Sequence, residues 1–376
     1  MKTALIAGAL GLAACAIGAV FEPTQVLRSY LWAYWFWIGA AVGCGQLLML
    51  YYLVGGAWGF VIQRILEAAL RTLPYMFALA IPLVLGIPRL YTYADAHAVS
   101  LDRALAHKIV YLNTPFVITR LLIYFLIWGV IGYLLNTWSR RQDETGDFRY
   151  QSLRAKLSGP GIILYSFATT FAVVDWIMAL EADWYSTMFP GFYLVGQVLT
   201  VLGVAIFALR YVSRRAPLRD LVSYKEYQDL GNLLWTFVIL WAYVEVSQLI
   251  ITWSGNLPKE IVWYLHRTRG NWAWITVVVA IFHFGVPFFI LLGRRNKRRA
   301  DRIATIAAFV VIVHLIEQYW NVEPAFHPDR IFVSWLDFAA PIGLGGIWIA
   351  LLLWQLGKRP LVPLHDPRLE ESWQKA

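Results

Sequence analysis

Charge is what this 376-residue chain has little of: Asp, Glu, Lys and Arg together make 15% of it, against about 25% in an ordinary soluble domain. With 59% hydrophobic residues, there is more apolar surface than one water-soluble core can hide. Cysteine is nearly missing. Cys15 and Cys44 both lie inside apolar blocks, and the chain has no CxxCH haem attachment and no four cysteines for an iron–sulfur cluster. The formal charge of +9 would suggest nucleic acid in a soluble protein. Here the basic residues sit in short loops between apolar blocks, so anionic lipid headgroups are the simpler partner.

What the chain does have is apolar blocks of about 20 residues, the length that crosses a hydrocarbon layer as a helix with its backbone satisfied internally. Ten spans are expected, at 3–20, 29–54, 73–90, 115–136, 160–181, 190–210, 229–253, 271–292, 302–320 and 332–354. The fold class is therefore an all-α integral membrane protein of about ten transmembrane helices. Residues 59–72 alternate apolar and charged positions at helical spacing, which predicts an interfacial helix. Leu12-Ala13-Ala14-Cys15 after Lys2 has the look of a lipoprotein signal, but the apolar run continues through Phe21 and reads as an ordinary first helix.

With the N-terminus inside, alternation of ten spans puts 23 basic residues on the inside. Eight fall outside (Arg28, Arg89, Arg103, Lys108, Lys259, Arg267, Arg269 and Arg330) and Arg120 lies within a span. The positive-inside rule thus supports both the count and the orientation, with both termini cytoplasmic.

An ionisable side chain at mid-membrane costs about 2.5–3.5 kcal/mol to insert, so each one needs a reason. The candidates are Arg120, Asp175, Glu245, His283, His314, Glu317 and Asp337, with Gln46, Gln197 and Gln248 adding uncharged polarity. Counted along their spans, the acids and Arg120 fall in the outer half and the two histidines near the midplane. The inner half shows little beyond Gln46, Ser166 and scattered hydroxyls. Each residue also has a plain reading. Arg120 and an acid can pair to pin helices, Glu317 and Asp337 can snorkel to the outer interface, and His283 can be a packing residue. His283 and His314, at similar depth, can also be read as ligands of a b-type haem.

Several stretches, in order, resemble the quinol-interacting membrane subunits of alternative complex III, within the polysulfide reductase/NrfD-like family. They are Gly55-Gly56-Ala57-Trp58 with Arg64, Glu67 and Pro74; residues 108–128 with SRRQDETGD at 139–147; FAVVDWIMALEADWYSTMFPGFY at 171–193; the Trp-Ala-Tyr, Ser-Gln and Asn-Leu-Pro segment within 229–267; FHFGVPFFILLGRRNKRR at 282–299; and LVPLHDPRLEESW at 361–373. Asn256-Leu257-Pro258 and the short length favour the smaller of that complex's two homologous membrane subunits. The resemblance implies two four-helix bundles with flanking helices: 1–28 the first helix and outer loop, 29–181 the first bundle, 190–320 the second, 332–354 the last helix and 355–376 a cytoplasmic tail.

It further implies a bacterial inner-membrane subunit that binds no metal or cofactor itself. Menaquinol or ubiquinol would be the reductant. The partners would be a larger quinol-binding subunit and subunits carrying iron–sulfur clusters and haem c. The family's intramembrane acid maps onto Asp175 and its histidine before Pro-Phe onto His283, whereas Glu245 departs from the small or apolar residue expected there. Quinol oxidation releases two protons. Asp175, His283 and Glu245, tuned by Arg120 and extended by His314, Glu317, Asp337 and Gln248, are the expected path for them to the outside. Trp176, Trp184 and Tyr185 are candidates for lining a quinone pocket. Two rival readings remain open. One is a secondary transporter built as a five-plus-five inverted repeat, with Pro82 in span three matching Pro287 in span eight. The other is a structural anchor whose charges are all pairs.

Overall fold

A computed structural model describes residues 1–181 and 184–366. The helices used below are α1 (Lys2–Phe21), α2 (Pro23–Val54), α3 (Ala57–Leu70), α4 (Leu73–Leu79), α5 (Ile81–Leu90), α6 (Thr114–Thr145), α7 (Arg149–Trp176), α8 (Phe189–Val212), α9 (Tyr224–Gly255), α10 (Pro258–Thr268), α11 (Trp272–Val279), α12 (Val286–Leu292), α13 (Ala300–Val322) and α14 (Leu336–Leu356). Among the described residues there is no strand, and nine helical segments are long and apolar enough to cross a membrane. α3 with α4, and α5 after a 49° bend, meet the same test only when taken together, as a broken span or a re-entrant loop. Pro82 accounts for the bend, because it has no N–H for the carbonyl four residues back and its ring pushes against that carbonyl. The chain is thus an all-α protein with the multi-pass character its apolar blocks imply. Of the 361–373 segment, residues 367–373 lie outside the described residues.

The helices pack in three groups around α2. The bent α3–α5 segment, α6 and α7 pack on one side of it; α8, α9, α11–α12 and α13 pack together on the other; and α1 pairs with α14 along its flank. The sequence of α2 permits this central position. Between Gly39 and Gly45 it presents a run of small residues, and neighbouring helices come in where those residues lack side chains. A Cβ on Gly43 would meet the Gln197 carbonyl oxygen of α8 at 2.9 Å, and one on Gly45 would meet the Tyr165 hydroxyl of α7 at 2.5 Å. The α1–α14 pair uses the same device, Gly8 and Gly11 lying against Gly346 and Gly343. Small residues let helix backbones approach where no hydrophobic effect drives them together. α1 runs unbroken through Cys15, which is buried.

Two expectations change here. Residues 59–72 were expected to form an interfacial helix. The helix is there, but every residue from Gly59 to Leu70 is buried, because α2, α6, α8 and α14 cover it. The helices also overrun the expected spans: α6 continues to Thr145 and α7 starts at Arg149. At 1.5 Å per residue, a 32-residue helix such as α6 is about 48 Å long, so its end stands beyond the hydrocarbon.

Candidate functional site

The most concentrated set of buried ionisable groups lies in the second bundle. His283 Nδ1 and His314 Nδ1 each stand 2.8 Å from the same oxygen, Glu317 Oε2, and the three residues are buried. Trp241 Nε1 donates to the other carboxylate oxygen at 3.0 Å, and the Gln318 amide lies 3.2 Å from His314 Nε2. His314, Glu317 and Gln318 share one face of α13 through their three- and four-residue spacing. His283 arrives from α11–α12 by a local distortion. Pro287 forbids the α-helical bond to the carbonyl of His283, four residues back. The backbone between Ala280 and Gly285 widens into a π-helical turn, with the Val286 N–H bonding the Ile281 carbonyl instead. Such turns are frequent at functional sites. Gly196 on α8 makes the space for His314, since a Cβ there would meet His314 Cε1 at 2.7 Å.

Glu317 was expected close enough to the outer interface to snorkel. It does not: its side chain is fully buried on the histidines. Helical side chains tilt toward the N-terminus of their own helix, so the Glu317 carboxylate reaches back from its Cα toward the middle of the membrane and meets His283 there. The haem reading is overturned by the same geometry. The two imidazole rings are 5.2 Å apart between centroids, with an interplanar angle of 26°, and share one carboxylate oxygen, which leaves no room for a porphyrin between them.

A line of polar groups runs from this cluster toward the α10 side. Glu245 on α9 is partly buried, accepts no hydrogen bond from another described residue, and lies within electrostatic reach of Glu317 and Arg267. Arg267 on α10 is buried. It stacks on Trp263, donates to the carbonyls of Trp263 (2.9 Å) and Asn321 (2.6 Å), and pairs with Glu181 at 2.7 Å. His266, about one-third exposed, stands 3.3 Å from Glu181 and brings the line to the surface. Burial alone would raise the Glu181 carboxyl, but Arg267 and then His266 outweigh it and hold it below the usual carboxylate range. A carboxylate with a lowered folded-state pKa gives stability that is present above its unfolded value, about 4.3, and is lost as pH falls through the folded one. Unfolding measured against pH should therefore show a flat stability from pH 7 to about 5 and an acid limb below about pH 4, and Glu181→Gln should flatten that limb.

The structure does not join the other expected residues to this line. Asp175 and Arg120 form a separate, bidentate pair between α6 and α7: Arg120 Nε and Nη2 donate to the two Asp175 oxygens at 2.8 Å each. Tyr124 donates to Asp175 at 2.7 Å, Arg120 also donates to the Tyr111 carbonyl at 2.9 Å, and its guanidinium lies over the Tyr111 and Phe116 rings. Asp337 does not snorkel. It is buried, accepts from the Ser334 N–H at the start of α14 (2.8 Å), and takes the Ser29 hydroxyl of α2 at 2.6 Å. Gln248 is buried one turn beyond Glu245, and no hydrogen bond among the described residues ties it to the cluster. Trp176 packs with Tyr91 in the first bundle, Trp184 stacks on Trp263 in the second, and Tyr185 is exposed beside Lys108, so the three do not share one pocket. An apolar groove of about 630 Å³ lies instead along α14, lined by residues including Trp32, Trp37, Tyr319, Asp337 and Phe338.

A second buried charged network lies around α3. On the basic face, Glu67 accepts from Gln63 (2.7 Å), Arg64 (2.7 Å), Ser139 (2.6 Å) and Tyr52 (3.1 Å). Arg64 pairs with Asp143 at 2.6 Å, and Arg154 bonds Tyr52 and Gln142. This network ties α3 to α6 and α7, and Arg359 stands 3.6 Å from Glu67. The visible signal was Arg64 and Glu67 one turn apart on an otherwise apolar helix. Glu181, Arg267 and His266 were also missed: Glu181 is the last residue of an expected span, and the other two lie in the loop between 253 and 271. Comparison with protein-family models and with curated proteins finds no match to this chain.

Proposed function

We propose that this chain is a membrane subunit of a quinol-oxidising respiratory complex of the alternative complex III kind, and that its second bundle carries protons toward the outer face. The observation that carries the proton-handling part is Glu245. It is an acid within a membrane-spanning helix, within electrostatic reach of Glu317 in the histidine cluster and of Arg267, which pairs with Glu181 beside the partly exposed His266. An intramembrane acid without a hydrogen-bond partner has no structural return for its insertion cost. Carboxylates and imidazoles within reach of one another are the groups that pass protons near neutral pH. The quinol part rests on the ordered resemblance of the sequence segments. In this reading Asp175 is a pinning residue held by Arg120 and not a proton carrier, which revises the path expected from sequence. The basic-face network around Glu67 would be the inner counterpart.

One observation favours the transporter reading. The two matching prolines both disturb their helices, with the 49° bend at Pro82 and the π-helical turn before Pro287, and discontinuous helices are the usual substrate sites of such proteins. Affinity purification from mild detergent separates the readings. The redox reading expects haem c and iron–sulfur subunits to copurify, with a reducible haem c absorbance band. A chain that comes alone and moves a solute in liposomes would overturn it.

A further inference from the structure

The geometry points to a binding site for one divalent transition metal of the zinc class, ligated by His283, His314 and Glu317. One ligand atom from each residue lies within 4.8 Å of the others, and all three side chains are buried. Two imidazoles and one carboxylate are the donor set of open zinc sites and of the facial triad that holds iron(II). Metal–ligand bonds of about 2.0–2.2 Å need these atoms to part only slightly from their present 2.8 Å contacts.

A second observation, independent of the grouping, indicates that something belongs between these atoms. His283 is completely buried, yet neither of its ring nitrogens has a hydrogen-bond partner; Nδ1 approaches Glu317 Oε2 out of line for one. A buried polar group without a partner calls for an explanation, and an ion between these ligand atoms supplies one. On His314, the Gln318 amide supplies the outer contact that a metal-ligating imidazole normally has. Turning that amide end for end moves no heavy atom appreciably. It places Gln318 Oε1, otherwise without a partner, on His314 Nε2. His314 then carries its proton on Nε2 and turns a bare Nδ1 lone pair to Glu317. The Trp241 N–H fixes the carboxylate from its other oxygen at 3.0 Å.

Charge points the same way. In the hydrocarbon, an isolated carboxylate is strongly disfavoured, and this region holds two, Glu317 and Glu245, within electrostatic reach of each other. A divalent cation on two neutral imidazoles and Glu317, with Glu245 nearby, makes the group neutral overall. Because ligands must be deprotonated, metal and protons compete for the site. Binding of the metal itself does not depend on quinol chemistry.

Cobalt(II) alone is the probe, titrated by visible absorbance into the full chain, purified in the assembly in which it occurs and stripped with a chelator. The site predicts one cobalt per chain, displaced by zinc, with proton release on binding. Affinity should fall at least tenfold in both Glu317→Gln and His283→Ala and stay unchanged in Asp301→Asn, a residue on the basic face. No stoichiometric binding to the wild-type chain, or equal binding in both site variants, overturns the site. If neither variant yields folded protein, X-ray absorption of the wild-type cobalt complex decides: two imidazole ligands support the site, and none contradicts it. Copurification of redox subunits is a separate quantity, so failure here and failure of the quinol reading are distinguishable.

Discussion

Arg120→Ala is expected to destabilise the protein by about 3–5 kcal/mol, a large fraction of an ordinary folding free energy. The reason is what remains behind. Asp175 is fully buried, and in the wild type two guanidinium N–H groups and the Tyr124 hydroxyl satisfy it. Removing one partner of a buried pair leaves an uncompensated charge, and that penalty is several times the net worth of the pair. The lost stacking of Arg120 on Tyr111 and Phe116 adds to it. Replacing both partners together, as Arg120→Met with Asp175→Leu, should recover most of the loss, because no buried charge is then left alone. Denaturant unfolding of the four proteins in detergent gives the coupling energy. Single-variant losses below about 1 kcal/mol would mean that the pair is not the clamp between α6 and α7 described above.

Glu245→Gln is expected to behave in the opposite manner. Glu245 accepts no hydrogen bond from another described residue, so amidation breaks no hydrogen bond among them and removes an acid from the membrane. Stability should be unchanged or rise by about 1–3 kcal/mol, the order of its insertion cost. Quinol-driven proton release by the assembled complex should fall about 100-fold, the usual loss when a proton-transferring group is removed. A stabilised but inactive variant would identify Glu245 as retained for function. A destabilised variant with normal proton release would identify it as structural.

The sequence carried the architecture further than the site. Hydropathy marks where a helix meets lipid, so spans such as 115–136 and 190–210 emerged close to α6 and α8. It does not mark where a helix ends, and α6 runs on to Thr145. Nor does it distinguish a helix lying on a bilayer from one covered by its neighbours. Arg64 and Glu67 read as surface charges on an interfacial helix, while in the fold they satisfy each other and Ser139 and are buried. Of the expected site, His283, His314 and Glu317 come together, and Glu317 lies within electrostatic reach of Glu245. Asp175 and Arg120 separate from them as a pair of their own. Depth counted along a span could not place Glu317, because its side chain leans about a turn back along α13. The choice of partner among residues of similar depth depends on which helices adjoin, and span order does not encode that.

The most direct test of the account is the rate of quinol-driven proton release to the outside by the purified complex in sealed vesicles, wild type against Glu245→Gln. The account predicts that electrons and protons appear together in the wild type, and that both fall about 100-fold in the variant while the complex stays assembled. Equal rates of proton release from wild type and variant would contradict it.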